Sequence, residues 1–225
     1  SSNSAGNDNV AIGFYALKVN TTGTQNVGVG NSALAANTTA SGNTAVGFRA
    51  LMTSTTSVRH TAVGYNALRV TTTGSDNTAL GYGTLQANTT GQNNTSVGSE
   101  ALLSNTTGSQ NTSVGKEALE QNTTASGNTA FGYQALRDNT SAVRHVAIGY
   151  AALRANTTAS DNTALGYFAL AANTTGEQNV AIGAYALDAN TTADYNVAIG
   201  YGAMTQSTTA QRCVAVGREA GESLT

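Results

Sequence analysis

Apolar and polar positions along this chain repeat every 17 residues and never slip. Counted from a glycine that returns from Gly13 and Gly30 through to Gly217, thirteen copies stand in one register. The residue just before that glycine, position −1, is Val, Ile, Leu or Phe; −2 is Ala, Gly or Ser; −3 is Thr or Val. Position −4 is Asn in ten copies and is replaced by His60, His145 and Cys213 in the others. Positions +3 and +4 are Ala and Leu apart from Thr84, Met204 and Gly221, and +7 to +9 read Asn-Thr-Thr or a near variant.

A short fixed period makes each copy one structural unit stacked on the next. The segment N-T-A-V-G-Y is short, β-branched and bounded by turn formers, so it predicts a strand. A-L-x-x-N-T-T predicts a second, weaker extended segment, and the Gly/Ala/Ser-rich stretch after it a turn. Helix is excluded for A-L-x-x-N because the stretch is too short and too rich in Thr and Asn. The fold class is therefore all-β: a parallel β-solenoid, or β-roll, of thirteen 17-residue coils forming one repeat domain over 1–225. Parallel pairing at roughly 4.8 Å per coil gives a rod on the order of 60 Å long.

Stacking demands columns of like residues. Asn above Asn lets each side-chain amide donate to one neighbour and accept from the other, which accounts for both Asn columns without a ligand. The Asn-x-Thr triplets match the glycosylation pattern only because the repeat creates them.

Alternation along a strand puts −3, −1 and +1 on one face and −2 and the glycine on the other. The first face carries the bulky aliphatics and is expected to line the core. The second admits only tiny residues, which implies that another backbone comes close and points to an oligomer; a flattened single-chain roll is the alternative. Each coil offers only about two bulky aliphatics, such as Val46 and Leu51, and so thin a core gains from length and from partners.

Longer segments also return. Ser57-Val58-Arg59-His60 recurs as Ala142-Val143-Arg144-His145, 85 residues on, which is five units of 17. A five-coil block, about 43–127, was duplicated as 128–212.

Composition narrows the function classes. Only 10% of residues are charged and the net charge is −2, so no basic patch exists and nucleic acid is excluded as a partner. No run approaches the roughly 20 apolar residues of a membrane span. The single cysteine excludes an intrachain disulfide. No signal-peptide pattern stands at the start. The opening Ser1-Ser2-Asn3-Ser4 and the end after Gly221 read as those of a segment cut from a longer chain.

Candidate chemistry is sparse. His60, His145 and Cys213 each follow an Arg, but the histidines lie five coils apart, roughly 24 Å by strand spacing, whereas metal ligands must converge within about 2 Å of one ion. Threefold symmetry would gather three copies of His60 only if that column faced a trimer axis; otherwise it is a solvated or ladder-capping Arg-His pair. No Ser-His-Asp set, paired carboxylates or phosphate loop appears, so no enzyme, cofactor or metal is expected. The +1 column is the candidate ligand surface: Tyr65, Tyr82, Tyr133, Tyr150, Tyr167 and Tyr201, with Phe14 and Phe48 beside them. Exposed aromatic rows suit sugar rings or protein partners; the alternative is that they shield the thin core along its edge.

The unit N-T-A-V-G-x-x-A-L, as at Asn43 to Leu51 and Asn128 to Leu136, resembles the repeats of phage tail fibres and of YadA-like heads of trimeric autotransporter adhesins. Asn179-Val180-Ala181-Ile182-Gly183 is similar to the N-S-x-A-I-G units of those heads, whose repeats are usually shorter. The resemblance covers essentially the whole chain. It implies a left-handed β-roll, trimerised side by side, that acts as a stalk or receptor-binding head on a virion tail fibre or cell surface. Host glycan or receptor would be the partner beyond the homotrimer, with no membrane insertion. Two other functions stand beside this one. A passive spacer would bind nothing. A monomeric ice-binding solenoid would use the Thr column at +8, unbroken from Thr21 to Thr208; ice faces want Thr at i and i+2, and here +8 and +9 are expected to point to opposite faces.

Overall fold

The structure, a computed structural model, describes residues 5–224; Ser1 to Ser4, where the start of a cut segment was read, and Thr225 lie outside them. The chain is an all-β, parallel β-solenoid, as the period predicts. It divides into two compact units between Asn111 and Thr112. The first holds β1 (Val10–Ile12), β2 (Val27–Val29), β3 (Thr44–Val46), β4 (Thr61–Val63), β5 (Thr78–Leu80) and β6 (Thr95–Val97). The second holds β7 (Thr112–Val114), β8 (Thr129–Phe131), β9 (Val146–Ile148), β10 (Thr163–Leu165), β11 (Val180–Ile182), β12 (Val197–Ile199) and β13 (Val214–Val216). Within each unit every strand pairs in parallel with the next, one repeat on, as Thr44 with Thr61 and Thr163 with Val180.

Each coil has one strand, and the predicted second extended segment is a run of turns. The reason lies in the backbone. Leu at +4 has φ between 46° (Leu17) and 54° (Leu136, Leu153), and +2 is also left-handed, as at Tyr15 (60°) and Arg49 (56°). Left-handed residues break an extended run, and each costs roughly 1–2 kcal/mol outside glycine. Burial of the same leucine, worth about 2–3 kcal/mol, offsets that strain; Leu34 to Leu187 of this column are all fully buried. The repeated glycine closes the strand at φ near +130°. A Cβ on Gly30 (φ +129°) would lie 2.7 Å from the carbonyl carbon of Gly47, so the column excludes side chains.

The core is on the opposite face from the one expected. From β2 on, the Ala, Gly or Ser at −2 is buried, while −3 and −1 are half-buried or exposed in every strand; in β1, the first coil, Ala11 is exposed as well. Size decides this. The interior at −2 is so narrow that a Cβ on Gly28 would sit 3.4 Å from Leu17 Cγ, so only Ala, Gly or Ser fits and Val or Ile must point out. The tiny residues therefore answer to the chain's own leucine, and the inference from them to a partner backbone is withdrawn.

Two asparagines per coil complete the interior. The +7 column forms the amide ladder: Asn37 Nδ2 donates to Asn20 Oδ1 at 2.8 Å, and Asn105 to Asn88 at 2.8 Å. The −4 column works differently. Asn26 Oδ1 accepts the backbone N–H of Asn43 at 3.0 Å, and Asn26 Nδ2 donates to the Ala40 carbonyl at 2.8 Å. That carbonyl also accepts from Asn37, so both asparagines of a coil clamp one backbone oxygen. The asparagines of both columns are buried from Asn20 and Asn26 on, so these amides meet one another and the backbone and not water.

Candidate functional site

The outward face of each strand carries −3, −1 and +1. In the first unit position −1 is Ile12, Val29, Val46, Val63, Leu80 and Val97; in the second it is Val114, Phe131, Ile148, Leu165, Ile182, Ile199 and Val216. All are half-buried or exposed, with Phe131 at 55% and Leu165 at 42%. The sequence reading missed this surface by sending the aliphatics inward. The signal was present: the columns most nearly uniform in size, −2 (Ala, Gly or Ser) and +4 (Leu or Met before Gly221), are the ones a single narrow interior can hold.

The predicted tyrosines border that face and are 36–54% exposed. The structure gathers most of them into two stacks. Phe48, Tyr65 and Tyr82 lie with centroids 5.1 and 5.3 Å apart and planes within 18°. Tyr133, Tyr150 and Tyr167 repeat the arrangement at 5.0 and 5.2 Å. Tyr201 stands apart from the stacks and meets Tyr185 edge-on at 6.0 Å. Stacking covers both faces of Tyr65 and of Tyr150, so a sugar ring seeking an open aromatic face finds one only at a stack's end. The mid-stack rings offer edges and hydroxyls, and their stacking contributes to the fold itself.

The two histidines are interior residues. His60 and His145 are each 1% exposed, so their column faces the chain's own core and not a trimer axis, and they are not solvated. Each takes the place of an amide: Nδ1 of His60 accepts the Asn77 N–H at 3.2 Å, and Nδ1 of His145 accepts that of Asn162 at 3.2 Å. Burial pushes both pKa values down, that of His145 to about 4. The arginines before them point outward and form bidentate pairs, Arg59 with Asp76 (2.6 and 2.7 Å) and Arg144 with Asp161 (2.5 and 2.7 Å). These hydrogen bonds hold both carboxyls below their usual range; exposed as they are, such pairs add little stability. Cys213 backs the last strand, its N–H held by Asn196 Oδ1 at 3.0 Å. Among the described residues no cluster of three His, Cys, Asp or Glu side chains is placed to hold a metal ion, and no helix is long and apolar enough to cross a membrane.

The Thr column at +8 is spent on the stack. Thr21 Oγ1 donates to the Thr38 carbonyl at 3.0 Å and Thr89 Oγ1 to that of Thr106 at 2.9 Å. Positions +8 and +9 are both at the surface, as at Thr55 and Thr56, because the segment is a turn and does not alternate. Compared with known proteins, the chain matches no family model, no curated protein and no solved structure.

Proposed function

We propose that this chain is a structural and adhesive fibre segment, of the kind found in phage tail fibres and bacterial surface adhesins, that associates side by side as a homotrimer and presents a repetitive surface for attachment to a host. One observation carries the reading: the outward face of every described strand is apolar at −1. An apolar ladder of this extent on a free surface marks an interaction site. A partner that covers it coil by coil must share its 17-residue period, and a second copy of this chain does so in register. Covering a half-exposed Val, Ile or Leu yields roughly 1 kcal/mol per coil, and many coils in series multiply it. Sedimentation equilibrium at micromolar concentration tests the reading. The expected mass is three times 22.6 kDa, and Ile148→Asp with Ile182→Asp is expected to lower it while leaving the circular dichroism unchanged. A wild-type monomer overturns it.

A second reading draws on the same face. Seven strands expose Thr at −3 beside Val, Leu or Phe at −1, as in Thr44 and Val46, and Thr at i with an apolar residue at i+2 is nearer to an ice-binding face than the +8 column is. Thermal hysteresis from a monomer would favour it over the fibre.

A further inference from the structure

The second unit has a dent in its surface where three consecutive +5 residues, Arg154, Ala171 and Asp188, follow one another. Ala155 and Ala172 floor it, Phe168 walls it, and its volume is about 320 Å³. The sequence places any binding along the chain at the variable positions +1, +2, +5 and +6, with Arg154 and Asp188 among them; the hollow between those two residues is seen only in the structure. The dent is built from choice of side chain and not from the repeat, as the duplicated block makes plain. Eighty-five residues earlier the same positions are Arg69, Val70, Gly83, Gln86, Ala87 and Leu103. There the wall residue is Gly83, and a Cβ on it would meet Leu103 Cδ1 at 3.5 Å and Gln86 Oε1 at 3.8 Å. Gln86 reaches over space that Ala171, in the later block, leaves open.

Its two ends are charged and poised. Arg137, one coil before Arg154, is paired with the adjacent Asp138 at 2.7 Å. Arg154 is followed by Ala155 and makes no ion pair among the described residues. Asp188 uses Oδ1 to accept the Thr205 hydroxyl at 2.6 Å, which fixes the carboxylate and leaves Oδ2 for another donor. Arg154 and Asp188 stand two coils apart, roughly 10 Å between backbones, with only the Ala171 methyl group between them. Phe168 lies parallel to Tyr185 at 6.2 Å and edge-on to Tyr167 at 4.7 Å, so its ring is held in place.

We infer that this hollow binds an acidic sugar, a pyranose bearing a carboxylate, at the end or within the chain of a glycan. The guanidinium of Arg154 takes the carboxylate in its two-donor fork. The C–H face of the ring lies on Ala171 and Ala172 against Phe168. Asp188 Oδ2 accepts from ring hydroxyls. A phosphate would satisfy Arg154 and be repelled at Asp188; a neutral sugar would leave Arg154 unanswered. The site deepens the proposal of an adhesive surface and rests on it for its biological use, while the binding itself stands alone.

The test is titration calorimetry of the whole chain with a hexuronate disaccharide, its neutral hexose counterpart and inorganic phosphate. Variants are Arg154→Gln, Ala171→Gln with Asp188→Leu (the residues of the earlier block), and Arg69→Gln as control. The uronate is expected to bind in the roughly millimolar range, with affinity down about tenfold or more in the first two variants and unchanged in the third. No uronate binding, equal binding by the neutral sugar or by phosphate, or equal binding by Arg154→Gln overturns the inference. Sedimentation of the same samples separates the two ideas: a trimer that ignores uronate overturns only this site, and a monomer that binds it overturns only the trimer.

Discussion

Acid should weaken this solenoid first at its two histidines. His145 does an amide's work with an imidazole. Its Nδ1 accepts the Asn162 N–H at 3.2 Å, and its Nε2 lies 3.1 Å from the Asn156 amide nitrogen, so each ring nitrogen faces an N–H donor. A second proton would set N–H against N–H and bury a charge. The pKa accordingly falls from 6.5 to about 4, through burial first; the carbonyls of Asn162 and Ala159 and the charge of Asp161 oppose it, and Arg144 adds to it. The sign follows. Between about pH 6.5 and 4 the unfolded chain holds the proton and the folded chain does not, so stability is full above 6.5 and falls as pH drops through that window. At about 1.4 kcal/mol per tenfold change in proton affinity, the loss is about 2 kcal/mol by pH 5 and about 3 kcal/mol by pH 4. His60 is lowered for the same first cause and adds to it. The carboxyls of Asp76 and Asp161 lie below 3.8, so what they contribute is lost only at lower pH. Denaturant melts followed by circular dichroism, at about pH 7.5 and about pH 5, should show the fall in the wild type. His60→Asn with His145→Asn restores the ordinary residue of that column and should abolish it. An equal fall in the double variant would refute the reasoning.

Gly115→Val should cost on the order of 3 kcal/mol or more, since φ is +134° and the new Cβ would lie 2.6 Å from the Gly132 carbonyl carbon; an unchanged melting temperature would show that the column has no steric requirement. Asn139→Ala removes donors from Asn122 Oδ1 and the Ala142 carbonyl, each 3.0 Å away, and should cost about 2–4 kcal/mol. Asn139→Ser should cost less, because Ser54 and Ser207 already serve in that column, and equal melting of the two variants would count against the ladder. Tyr150→Ala breaks three ring contacts, with Tyr133, Tyr167 and Phe168, and should lower stability by about 1–2 kcal/mol with no ligand present; full stability would mean that the stack exists for a partner alone.

The fold was legible because a period that never slips leaves one way to stack, and the β-branched strand segment named its pairing. The faces were not, because parity says which residues share a side and nothing about which side is inside. Bulk suggested Val46; the geometry chose Ala45, since Leu51 already fills the interior. The turn after the glycine was hidden for a related reason. Leucine rarely adopts a left-handed φ, so no propensity argument finds it at +4, and only the burial it gains there explains it. The aromatic row was visible as a column, but its stacking follows from coil spacing and reverses what the rings offer, from faces to edges. Distance argued against a metal shared by His60 and His145, but their interior role needed the knowledge that −4 points inward. The hollow at Ala171 was invisible to periodicity, because it consists of departures from the period.

The duplicated block separates what the repeat needs from what has been written on it. Copying kept His60 and His145, the Arg59–Asp76 and Arg144–Asp161 pairs, and two aromatic triplets, and each of these has a neighbour one coil away that it contacts. Their persistence needs no ligand. The block changes at +2, +5 and +6, where Gly83, Gln86, Leu103 and Val70 answer to Phe168, Ala171, Asp188 and Ala155, and these residues lie off the strand and outside the ladder. A rigid stack can exchange such side chains without altering its backbone. A repeat solenoid therefore carries any specificity in its irregularities, and a residue in the variable columns that opens space, as Ala171 does between two unlike charges, is more informative about ligands than any residue that returns in every coil.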